Sequence, residues 1–153
     1  MIYYYAFVNI DLWIYFYNVK QQSINNNDCW VNYTGLTSYR PKIIVDYLVS
    51  YDIINTNSNI LDIGCGLAEI GIELDRVYNY VKYTGLDINQ NLLNLNKLNI
   101  KNNNFKFINF DLNNKNDYGK LDNNHNIILA CGAESDHYKI FPYICENNKP
   151  DYI

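Results

Sequence analysis

The stretch NILDIGCGLAEIG, Asn59–Gly71, constrains the fold of this chain more than any other. An apolar run ends in Asp62. Gly64 and Gly66 follow at alternate positions, and the residues then become helix-compatible. A short run of Ile and Leu without polar alternation suits a strand buried on both faces, as in parallel sheets covered by helices. Glycines at the strand's end permit a tight turn and let a ligand touch backbone. In open α/β sheets, ligands collect beyond the carboxyl ends of the strands, where this loop would lie.

The flanking sequence repeats the same unit. In SYRPKIIVDYLVSY, Ser38 is an N-cap candidate and Pro41 suits a first turn. Ile43, Ile44, Tyr47, Leu48 and Tyr51 recur at helical spacing, predicting a helix over about 41–51. ILDI reads as the first strand. LAEIGIELDRVY predicts a helix with Leu67, Ile70, Leu74 and Val77 inward. KYTGLDI reads as the second strand, and NQNLLNLNKLN as a helix capped by Asn89 with Leu92, Leu95 and Leu98 inside. FKFINFDL and HNIILACGA supply a third and a fourth strand. Strands alternating with helices predict a parallel sheet in an α/β fold.

An acid at the end of the second strand would bind the hydroxyls of a ribose. Asp87 follows Gly64 by 23 residues, near the roughly 20 expected of a nucleoside site. Asp111 ends the third strand on the same edge. The alternative is that the glycines only turn the chain and that Asp87 and Asp111 only cap helices. A dinucleotide loop of type G-x-G-x-x-G has glycine at its sixth position, against pyrophosphate. Here that position is Glu69, with Asp62 just upstream. Two carboxylates would repel pyrophosphate and suit a ligand bearing an ammonium and a sulfonium, as S-adenosylmethionine (SAM) does.

Composition narrows the partners. The net charge is −4 with scattered lysines, which disfavours nucleic-acid binding. Cys29, Cys65, Cys131 and Cys145 form no C-x-x-C pair, and His125 and His137 fit no zinc pattern, so a reduced, cytoplasmic chain without metal is expected. The 27 asparagines crowd the linkers and read as a compositional habit. Residues 1–28 form a separate aromatic-rich segment. Asn9 and Asp11 interrupt its apolar run, which favours a buried or capping role over a membrane span; membrane or partner contact is the alternative. Residues 29–153 form the cofactor-binding domain.

The run ILDIGCGLA resembles the first motif of class I SAM-dependent methyltransferases. TGLDIN resembles their second, INFDL their third and NIILACGA their fourth. SYRPKIIVDYL and the tail ACGAESDHYKIFPYICENNKPD resemble the methyltransferase-like proteins of the Williams–Beuren region. This resemblance implies a Rossmann-like fold and roles residue by residue. Asp62, Gly64, Cys65 and Gly66 would face the methionine part of SAM. Asp87 would hold the ribose, with Ile88 against the adenine. Asp111 would accept from the adenine amino group, with Leu112 beside it. Cys131 and Gly132 would line the floor near the methyl group, and Tyr39 and Arg40 would close over the cofactor's carboxylate.

The third loop glycine of the family is Ala68 here. The family sheet has order 3-2-1-4-5-7-6, and this chain reads as ending after about the fourth strand. That predicts an open edge on the fourth strand, a bare apolar face beside IILA and self-association through the edge. Glu134–His137 offers a base for an acceptor, or only a polar capping loop. Trp30, Tyr33 and Tyr39 offer stacking surfaces, or only packing. Two functions follow: methyl transfer from SAM to a small-molecule acceptor, or a non-catalytic remnant serving as an interaction module.

Overall fold

The computed structural model describes residues 39–130 and 140–148. Helix α1 spans Tyr39–Ser50, α2 Glu69–Val77, α3 Gln90–Asn99 and α4 Phe141–Asn148. Strands β1 (Asn59–Ile63), β2 (Lys82–Asp87), β3 (Phe105–Asn109) and β4 (Ile127–Leu129) form one parallel sheet of order β3-β2-β1-β4. The expected α/β class and strand order are therefore present. The aromatic segment 1–28, the cap candidate Ser38, and Trp30 and Tyr33 lie outside the described residues.

Alternate side chains of each strand point to opposite faces, and both faces are covered. Ile60, Tyr83, Phe107 and Ile127 pack with Val45 and Leu48 of α1, Leu74 of α2 and Leu93 of α3. On the other face Leu61, Ile63, Leu86 and Ile128 pack with Ile140 and Ile144. The expectation of a bare face beside IILA is thereby corrected. Ile127, Ile128 and Leu129 are all buried, and α4 supplies Ile144 to that face. Among the described residues β4 pairs with β1 alone, so its other edge lacks a described partner strand.

Two inward faces differ from the periodicity. In α2, Ile70, Gly71 and Leu74 are buried, whereas Leu67 and Val77 are exposed. Leu67 precedes the helix, which begins at Glu69. Val77 is the last helical residue, and Tyr78, extended at the C-cap, packs against the core beyond it. In α3, Asn89 caps the helix as expected, its side chain accepting from Asn91 and Leu92 N–H. Leu93 and Asn96 are buried, however, while Leu95 and Leu98 are exposed. The helix is rotated so that Asn96, not a leucine, meets the glycine loop.

Ala68 caps α2 at φ 53°, ψ 39°, fully buried. That left-handed conformation costs a non-glycine residue about 1–2 kcal/mol, against about 0.8 kcal/mol gained by burying its methyl group. Ala68→Gly should therefore leave the unfolding free energy from urea denaturation within about 1 kcal/mol of the parent. Ala68→Val, branched and buried, should cost more than about 2 kcal/mol. A valine variant as stable as the parent would show that the loop does not hold this conformation.

Candidate functional site

The loop between β1 and α2 lies at the carboxyl edge of the sheet. Gly64 and Gly66 have φ of 71° and 53°, the left-handed region that glycine enters at little cost. Cys65 N–H donates to the Leu86 carbonyl at 2.8 Å, which docks the loop onto β2. Gly66 N–H donates to Asp87 Oδ2 at 2.9 Å, and Asn89 N–H donates to Asp87 Oδ1 at 2.8 Å. One carboxylate thus holds both the glycine loop and the turn into α3. A carboxylate has about four acceptor positions, so among the described residues each Asp87 oxygen has one further position beyond these bonds.

Asp62, the penultimate residue of β1, lies beneath the loop, 3% exposed. The fully buried Tyr83 hydroxyl donates to Asp62 Oδ2 at 2.5 Å. Sequence reasoning did not assign Tyr83 to the site. The only available signal was its place in β2, two residues before the register partner of Asp62, Gly85.

A cleft of about 50 Å³ opens among Pro41, Ile44, Asp62, Gly64, Cys65, Glu69 and Ile70. Helix α1 forms one wall. Tyr39 and Arg40 form the start of that helix, just before Pro41. Burial pushes the Cys65 thiol well above its ordinary pKa, and the charges of Asp62 and Asp87 push it further. The thiol stays protonated and serves as packing. Asp62 and Glu69, which line the cleft, put acidic side chains beside the loop.

Beneath the loop, Gly85 leaves room for that sulfur. A Cβ at Gly85 would lie 2.8 Å from Cys65 Sγ and 3.1 Å from Phe107 Cδ1. Gly85→Ala should cost about 1–3 kcal/mol by overpacking. Adding Cys65→Ala should recover part of this in a denaturation cycle, because the closest atom is then gone. Strictly additive losses would place the crowding elsewhere.

Beyond β2 the edge continues through β3. Phe110 N–H donates to the Asp87 carbonyl, and Asn109 Nδ2 donates to the Ile88 carbonyl. Ile88 is 67% exposed, an apolar surface beside Asp87. Asp111 Oδ1 accepts from Asn113 N–H, and Asp111 N–H donates to Asp117 Oδ2. Lys120 beside Asp117, helped by that N–H, holds the Asp117 carboxyl below the usual carboxylate range. The half-buried Leu112 packs on the α4 side of the sheet, and its carbonyl accepts from Tyr118. Asp62, Gly64, Cys65, Gly66 and Asp87 are thus one connected constellation, flanked by Ile88, Asp111 and Leu112. Cys131, Gly132 and Glu134–His137 lie outside the described residues. Among the described residues there is no cluster of three or more metal-ligating side chains, and no helix long and apolar enough to cross a membrane.

A family model described as a methyltransferase domain matches residues 54–153. No curated protein matches the chain. Among solved structures, magnesium protoporphyrin IX methyltransferase (ChlM) from Synechocystis PCC 6803 with bound SAM is similar at 15% identity and TM-score 0.56. The match covers 79% of this chain and 61% of that one. The StiE O-MT is similar at 17% identity and TM-score 0.51, covering 66% and 38%. At such identities the likeness is one of fold. The plantazolicin methyltransferase BpumL in complex with SAH is 28% identical at TM-score 0.39, over 48% of this chain and 26% of that one. The chain spans less than two thirds of the length of each.

Proposed function

This chain belongs to the methyltransferase-domain family, and from that membership we propose that it binds SAM at the carboxyl edge of β1 and β2 and transfers its methyl group to a small molecule. The observation that carries the reading is the bond from Gly66 N–H to Asp87 across the ends of two adjacent parallel strands. It places an acceptor-only carboxylate, with one further acceptor position on each oxygen among the described residues, against a backbone that has no Cβ in the way. That chemistry fits a vicinal diol.

The donor set also fits the rest of SAM. Asp62 and Glu69 line the cleft beside the loop, where negative potential favours an ammonium and a sulfonium. Ile88 offers an apolar surface to an adenine. Asp111 would accept from the adenine amino group with Leu112 beside it, Cys131 and Gly132 would line the floor near the methyl group, and Tyr39 and Arg40, the first two residues of α1, would close over the carboxylate. These are the roles we assign them. When bound, the sulfonium supplies an already activated methyl group. The work left to the chain is to orient the ligand and align an acceptor, which can supply much of the rate. The Asp87 carboxylate fixes the ribose end, and Asp62, held by Tyr83, fixes the charge at the other. The chain is expected to work in the cytoplasm.

Calorimetric titration with SAM tests the reading, with transfer of a labelled methyl group to candidate small molecules as the second step. SAM should compete out NAD at equal concentrations, because pyrophosphate would face Asp62 and Glu69. Tighter binding of NAD would reverse the assignment. SAM binding without transfer to any acceptor would favour the non-catalytic module.

A further inference from the structure

We propose that Asn96 is a positioning residue for the glycine loop, acting through the Gly66 peptide on Asp87. Its role in ligand affinity rests on the SAM reading above; its role in the loop does not. Asn96 is 2% exposed in the body of α3. Asparagine is a poor helix-interior residue, and burying its amide is costly unless it is bonded. Here Asn96 Nδ2 donates to the Gly66 carbonyl at 2.8 Å. The N–H of the same residue donates to Asp87 Oδ2. Gly66 is therefore gripped at both its polar groups, its N–H by the end of β2 and its carbonyl by α3.

The grip has a direction. Gly66, at φ 53°, has no Cβ contact to hold its peptide orientation. The bond to its carbonyl fixes the 66–67 peptide plane and the bond from its N–H fixes the 65–66 plane, so the two together clamp φ and ψ at Gly66; losing the first frees the residue to turn and loosens the second. Asn96 also sets the rotation of α3, since turning it inward leaves Leu95 and Leu98 in solvent. It therefore couples the helix after β2 to the loop before α2, across 30 residues of sequence.

The test uses the full chain and two variants. Asn96→Leu suits the helix and removes the donor. Amide exchange should quicken about tenfold at Gly66 N–H, the size expected for one lost hydrogen bond, while the β1 and β2 amides keep their protection. SAM affinity should fall about tenfold. Combined with Asp87→Ala, the loss in affinity should be smaller than the product of the two single losses. Unchanged exchange at Gly66, or losses that simply multiply, would overturn the proposal.

If Asn96→Leu loosens every amide together, Asn96→Asp decides. Its carboxyl can donate to the Gly66 carbonyl when protonated and cannot when ionised. Gly66 exchange relative to the parent should therefore rise with pH, and a flat ratio would overturn the proposal. Should the parent protein fail to bind SAM, the cofactor reading falls, while the exchange and pH results still decide the role of Asn96.

Discussion

Replacing Asp87 by alanine should lower folding stability by about 2–4 kcal/mol and weaken SAM by about 1–3 kcal/mol. Sequence spacing alone predicts only the second effect, with the fold left intact. The structure adds the first, because both carboxylate oxygens already accept backbone N–H groups, from Gly66 and Asn89. Bonds to a charged acceptor are worth about 1.5–3 kcal/mol each. Asp87 is only half-buried, so water replaces part of that. Asp87→Asn keeps the volume and one carbonyl oxygen, and should lose about half as much stability. Urea denaturation gives the first number, and calorimetry on variants shown to be folded gives the second. A folded alanine variant with the parent's midpoint and the parent's affinity would remove Asp87 from the site.

Tyr83→Phe should cost about 2–3 kcal/mol, an unusually large effect for the loss of one oxygen atom. The ring stays, stacked on Phe105 with centroids 5.0 Å apart and edge-on to Phe107 at 6.1 Å, so packing is little changed. What goes is the donor to Asp62, in a pair where the tyrosine is fully buried and the aspartate 3% exposed. A carboxylate so far from water pays the desolvation cost of a missing charge-assisted bond. SAM affinity should fall as well, because Asp62 loses the hydroxyl that helps to orient it beside the cleft. Denaturation of Tyr83→Phe beside Tyr83→Leu separates hydroxyl from ring. A phenylalanine variant as stable as the parent would mean that Asp62 is held by other groups.

The sheet was legible because its signals are local. Strands buried on both faces carry few charges, and ILDI and YTGL hold Asp62 alone. The turn chemistry of Gly64 and Gly66 and the cap at Asn89 depend on residues within one turn, and the structure has all three. The amphipathic faces were less legible. In α3 the leucine spacing pointed to Leu92, Leu95 and Leu98, yet Leu93 and Asn96 face inward. Both patterns satisfy helical periodicity, and a hydrogen bond to Gly66 selects between them.

By itself, then, the sequence determined the alternation of strands and helices, the place of the glycine loop at a strand end, and the acid that follows at the end of the next strand. Each of these follows from backbone sterics and burial within a few residues of itself. Only the tertiary structure decided that α4 would cover the face beside β4, that Tyr83 would hold Asp62, and that Asn96 would hold Gly66. Those partners lie 21 and 30 residues apart in the side-chain pairs. They meet because parallel strands bring their carboxyl ends to one edge, where a buried polar group must find its partner across the sheet rather than along the chain.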